Sequence, residues 1–198
     1  MNFRRLLFSI IIIPFNDPSS FLDLQYSKIK PNEVKLEKQV QINVDASASP
    51  VFYKMETPRV VKKINLTGNV KVDKAINKKE DDSYFQLGII YEGDYRPSGF
   101  VKTFLPEWLL KVLSLSDKYG VGELEFHEAS AAKVNLDKSD SIRDIKLNFK
   151  TATTIENGKF SMSIKPKKEK ILGLWLRADG DESKAKFLTT IKSLEFEN

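Results

Sequence analysis

The chain has 198 residues, 41% of them apolar and 11% aromatic, enough to bury the core of one domain. Its 32 basic and 27 acidic side chains leave a net charge of +5 spread along the length. It therefore lacks the concentrated basic stripe with interleaved aromatics on which nucleic-acid binding rests. The absence of cysteine excludes a disulfide framework, a thiolate metal site and a cysteine nucleophile.

Two arginines in Met1–Arg5 precede the apolar run Leu6–Phe15, which only Ser9 and Pro14 interrupt. A basic start ahead of about ten apolar residues is the layout of an export signal, and it is too short to span a bilayer. The sequence thus predicts a leader over residues 1–20, a single domain over 21–198, and a periplasmic or extracellular destination. No cysteine follows the run, so a lipid-anchored form is excluded. The competing reading makes the isoleucine run a β-strand buried in the core.

From Glu33 to Val44 apolar and polar residues alternate, with Val34, Leu36, Val40, Ile42 and Val44 on one face and Lys38 as the single break. Period-two alternation places one face on a core and the other in water. Similar segments recur at residues 60–66, 84–92, 122–128, 142–150, 159–165, 171–177 and 188–197. Ile171–Leu176 is apolar on both faces and predicts a central strand covered on each side. Asn157-Gly158 lies between two such segments and predicts a hairpin joining them.

One segment departs from this period. Pro106–Asp117 has a proline and a glutamate at its start and Gly120 just beyond its end, predicting one short helix. Its apolar residues surround most of the circumference, so it should plug one end of the fold. Many short strands with a single helix predict an all-β, antiparallel two-sheet β-sandwich of jelly-roll type.

The densest basic run, Lys165–Lys170, contains no aromatic and predicts a solvated loop. For ligand binding, Tyr91–Phe100 combines aromatic, acidic and guanidinium groups between two strands. Sugar recognition needs that mixture, because rings stack on the pyranose while polar groups bond its hydroxyls. Tyr91, Tyr95 and Arg96 are the candidate ligand-binding residues, with Trp108 flanking them. The alternative is an ordinary surface loop whose aromatics anchor it to the core.

Residues 123–128 read Glu-Leu-Glu-Phe-His-Glu. On a strand Glu123 and Glu125 share a face, and a bulge near His127 would bring Glu128 round to join them. Retaining glycosidases need two such carboxyl groups about 5 Å apart, and the segment looks like the acidic strand of lectin-like glucanases. The alternative is a solvated acidic strand, and no catalytic residue is assigned. The acidic clusters at 80–82 and 179–182 have the oxygen ligands of a calcium site but no EF-hand spacing. Turn chemistry accounts for them, so no metal is assigned. Nothing in the sequence requires a cofactor.

Val44–Ser49, the approach Lys78–Asp82 to the strand at 84–91, and Gly173–Ser183 occur in an order that resembles galactose-binding-like jelly rolls. More particularly it resembles an uncharacterised family of exported bacterial proteins of that fold. Ile64-Asn65-Leu66 stands where that family carries a Trp-x-Trp strand. The resemblance implies a sandwich that binds a sugar or another partner through loops at one end. The functional expectation is accordingly an exported, non-catalytic β-sandwich with a carbohydrate or an envelope protein as partner. A glycan hydrolase and a structural envelope domain are the alternatives.

Overall fold

A computed structural model describes residues 9–77, 82–115, 118–132 and 136–198. The basic start, the first part of the apolar run, Lys78–Asp81 and Ser116-Asp117 lie outside the described residues. The chain forms β1 (Ile10–Ile12), β2 (Phe21–Asp23), β3 (Glu33–Leu36), β4 (Val40–Asp45), β5 (Ala48–Arg59), β6 (Lys63–Lys74) and β7 (Ser83–Gly93). Helices α1 (Gly99–Lys102) and α2 (Glu107–Ser114) follow. Then come β8 (Gly120–Ser130), β9 (Asp137–Ile142), β10 (Ile145–Thr154), β11 (Lys159–Ile164), β12 (Ile171–Asp179) and β13 (Lys186–Glu197).

These strands make a jelly-roll-like, two-sheet β-sandwich. The smaller sheet runs β11-β6-β13-β4-β3, with β1 beside the C-terminal end of β13 on the edge that β4 occupies further up. The larger runs β2-β5-β12-β7-β8-β10-β9. All neighbours are antiparallel except β8 and β10, which are parallel because the edge hairpin β9-β10 returns beside β8.

The alternation seen at residues 33–44 resolves into β3 and β4, with the break at Lys38 becoming their turn, where the Glu37 amide donates to the Gln39 carbonyl at 3.2 Å. Val40, Ile42 and Val44 are fully buried between the sheets, together with Leu66, Phe85, Leu87 and Phe187. Each such side chain contributes about 1.5–3 kcal/mol relative to exposure.

Central strand β12 is covered on both sides, as its apolar run predicts. Leu174 and Leu176 enter the inter-sheet core, while Leu172 and Trp175 face outward under Leu105, Leu109, Val112 and Leu115. The expected helix is α2, but instead of plugging one end of the sandwich it lies over the outer face of the larger sheet, where Leu109 and Val112 cover Leu172 and Trp175. Among the described residues no helix is long and apolar enough to cross a membrane.

Two local expectations are corrected. Asn157-Gly158 does form a tight turn with positive φ at both residues (50° and 71°), but it closes only the Glu156–Lys159 pair. Beyond it the chain changes sheet: β10 stays in the larger one and β11 pairs with β6. The apolar residues of β10 belong to the outer-face cluster and those of β11 to the inter-sheet core, so the two strands are not hairpin partners. The segment at 142–150 is likewise two strands, bent at Arg143, whose φ is 56°.

Candidate ligand-binding loop and the two faces of the larger sheet

The connection between β7 and β8 carries the residues expected to bind ligand, and the structure disperses them. Tyr91 lies near the end of β7 and is wholly buried, its hydroxyl donating to Glu125 Oε2 at 3.0 Å and accepting from the Lys167 amide at 3.2 Å. Burial raises its pKa, so it stays a neutral phenol with no free face. Tyr95 bridges to Val121 through its backbone and is half-buried against the outer-face cluster. Arg96 is exposed, and Trp108 packs on Trp175 with centroids 5.8 Å apart at 63°.

The aromatic surface of this loop comes instead from Phe100, 76% exposed, and Phe104, 66% exposed. Their spacing of four puts both rings on one side of α1 and the turn that follows it, with centroids 5.3 Å apart at 71°. Thr103 Oγ1 donates to the Phe100 carbonyl at 2.7 Å and ties off that turn. The spacing was visible in the sequence, in a polar stretch ahead of a helix that already held its own apolar residues.

On β8 Glu123, Glu125 and His127 share the face of Tyr91, Ile89 and Leu87, their respective neighbours on β7. Glu123 accepts from Asn148 Nδ2 at 2.6 Å and pairs with Lys167, while Glu125 pairs with Lys150 at 2.6 Å. Burial pushes Glu125 upward, but His127 at 3.7 Å, Lys150 and the Tyr91 hydroxyl outweigh it and hold the carboxyl at about 2. Both groups are engaged by cations, and Glu125 is a carboxylate at neutral pH.

Glu128 does not join them. Register through Gln86, Glu128 and Thr151 is regular, and the bulge falls beyond it in β10, so Glu128 projects from the opposite face. There burial raises its pKa, with Arg177 opposing. The three glutamates of residues 123–128 therefore cannot act on one bond.

That outer face arranges side chains in cross-strand rows. One reads Arg177, Gln86, Glu128, Thr151, and the next reads Trp175, Gly88, Phe126, Phe149. A side chain at Gly88 would stand 2.9 Å from both Phe126 Cε1 and Trp175 Cβ; its absence lets the two rings meet edge to face at 5.4 Å. Phe126 and Phe149 stack at 5.0 Å and 14°. Within these two rows three buried polar atoms lack a hydrogen-bond partner among the described residues: Gln86 Oε1, Trp175 Nε1 and Arg177 Nε. Sequence reading missed them because Gln86 sits in a strand that is otherwise apolar and reads as core.

The two acidic segments meet at the end of this face, where one carboxylate oxygen from each of Asp82, Asp179 and Asp181 lies within 4.8 Å of the others. Asp82 accepts from the Ser183 amide at 2.8 Å and from its hydroxyl, and Asp179 pairs with Arg177. The hydrogen bonds of Asp82 thus tie the β12-β13 turn to the start of β7. Burial raises the Asp179 pKa against the pull of Arg177.

The sequence matches no protein-family model and no curated protein. Three solved structures of low sequence identity are similar to it. The xyloglucanase domain of a type three effector from Sinorhizobium fredii is 7% identical, with a TM-score of 0.46 over 96% of this chain and 99% of that one. The catalytic domain of Humicola grisea Cel12A is 8% identical, with 0.47 over 94% and 97%. A low-affinity xylan-binding module from Roseburia intestinalis is 9% identical, with 0.38 over 96% and 95%.

Proposed function

We propose that this chain is an exported, non-catalytic β-sandwich that binds a carbohydrate or another cell-envelope component through the loops at one end. One observation carries this: the β7-β8 connection holds two adjacent phenylalanines, 76% and 66% exposed, meeting at 71°. Apolar rings set together in water mark a surface built for contact. A ring beneath and a ring beside a pyranose give it stacking and shape, and Arg96, Lys102 and Asp94 on the same loop supply hydrogen bonds to hydroxyls. The separation of Glu128 from Glu123 and Glu125 weighs against the hydrolase alternative.

Native gels cast with xylan, mannan, xyloglucan or soluble peptidoglycan test the reading. The parent chain should be retarded in at least one of them, and the Phe100→Ser, Phe104→Ser double variant should run freely. Both substitutions are at exposed positions, so thermal unfolding should be unchanged within about 0.5 kcal/mol per site. A parent that no polysaccharide retards, or a variant retarded equally, refutes it. Stoichiometric copurification of an envelope protein in that case would favour the docking domain.

A further inference from the structure

Asn157 is the only asparagine of the chain that precedes a glycine, and its turn belongs neither to the Phe100 and Phe104 loop nor to the buried ionic cluster. The fold itself demands this pair. Both residues lie in the left-handed region, with φ of 50° and 71°, where asparagine is better tolerated than most side chains and glycine meets no steric penalty. Position 158 admits glycine alone, because an added Cβ would stand 2.8 Å from the Val70 carbonyl oxygen. With no Cβ on residue 158, its amide nitrogen is left unshielded beside the Asn157 side chain. Asn157 is exposed, and its side-chain amide has no hydrogen-bond partner among the described residues. The Gly158 amide donates to nothing among them either, while its carbonyl accepts from the Val70 amide at 2.7 Å. Two reciprocal backbone bonds of 2.9 Å between Glu156 and Lys159 close the turn.

We infer that Asn157 is a self-modification site, at which the chain converts its own asparagine into aspartyl and isoaspartyl residues with water as the only co-reactant. Solvent base takes the proton from the Gly158 amide, and the nitrogen bonds to Cγ of Asn157. The Cγ–Nδ2 bond breaks, ammonia leaves with a proton returned from solvent, and a five-membered succinimide remains. Water then opens the ring at either carbonyl. One opening leaves an ordinary aspartyl link, and the other reroutes the backbone through the side-chain methylene. The isoaspartyl product therefore lengthens the backbone by one carbon inside a two-residue turn. The Glu156–Lys159 pair and the Val70 bond to Gly158 cannot both survive that insertion. Lys159 and Phe160, which follow at once, begin the edge strand β11 opposite Asn69 and Gly68 of β6, so its docking on the smaller sheet is loosened. The aspartyl product keeps the backbone and adds one negative charge at an exposed position.

The full chain is incubated at pH 8.5 and 37 °C, both folded and in urea. The tryptic segment of residues 151–159 is then followed by mass spectrometry and by labelling with an isoaspartyl methyltransferase. The folded chain should yield both products at this segment, more slowly than the unfolded chain because the turn must open first, and more slowly again at pH 6. The other asparagines should stay intact over the same interval. Asn157→Gln, whose longer side chain disfavours ring closure, should lose both products. The isoaspartyl fraction, separated by ion exchange, should unfold at a lower urea concentration than the parent, and the aspartyl fraction at the parent's. An intact Asn157 in the folded chain once the unfolded chain is converted, or equal conversion at the other asparagines, overturns the inference. An isoaspartyl fraction with the parent's urea midpoint overturns the role given to the turn in docking β11.

Discussion

Replacing Glu125 by Gln tests the energetics of the buried ionic cluster. The carboxyl is held at about 2 in the folded chain against an ordinary 4.5, and its side chain is only 5% exposed. Because the folded value lies below the unfolded one, ionisation stabilises the fold, by about 3 kcal/mol once both states are charged above about pH 5. As pH falls the unfolded chain takes up the proton first, and the contribution drains away towards pH 2. Glu125→Gln should therefore be less stable than the parent by about 2–3 kcal/mol at pH 7, the Lys150 ammonium recovering part of the loss in water because it is 44% exposed. The two proteins should converge as the pH approaches 2. Urea unfolding followed by tryptophan emission at a series of pH values gives the difference, in which the other acid groups cancel. A constant difference from pH 7 to pH 3 would refute the assignment of the depressed pKa to this cluster.

Two further outcomes follow from the outer face. Gly88→Ala places a methyl group against Phe126 and Trp175, so it should cost about 1–3 kcal/mol and shift indole emission, measured by thermal unfolding and fluorescence. Asp179 has the opposite linkage to Glu125. Its raised pKa means that the folded chain holds the proton longer than the unfolded one, so its contribution to stability declines as pH climbs above about 4. Asp179→Asn should remove that decline, and an unchanged pH profile between 4 and 8 would count against it.

The sandwich was legible because alternation is a local property. Residues 33–44 show which side faces oil, and β3 and β4 obey that pattern residue by residue. Pairing is not local. Nothing in residues 145–164 states that β10 and β11 lie in different sheets, because both present apolar alternation and differ only in the layer that covers them. β5 was missed for a related reason: Ser49 through Phe52 are buried on both faces and carry no period, and Pro50 and Pro58 read as breaks. The loop was expected to present aromatics, and the rings it exposes differ from those named for ligand binding. Tyr91 continues the strand period into the core, whereas Phe100 and Phe104 follow the helical period of α1 onto the surface.

The two readings of the first fifteen residues make opposite demands, and the structure turns that into a measurement. Ile10–Ile12 pairs with Glu195–Glu197, the Ile13 amide donates to the Leu194 carbonyl at 3.0 Å, and Ile13 and Phe15 are 3% and 5% exposed. If these contacts form in solution, a chain beginning at Phe21 loses two buried side chains and an edge strand. Two such burials alone amount to roughly 3–6 kcal/mol, a large part of the 5–15 kcal/mol that holds an ordinary domain together. An export leader is removed before the mature domain functions, so it cannot also carry that share of stability. Equal urea midpoints for the full chain and residues 21–198 would favour the leader. A drop of several kcal/mol, with the native mass retaining Ile10–Phe15, would make the isoleucine run part of the sandwich and withdraw the sequence argument for export.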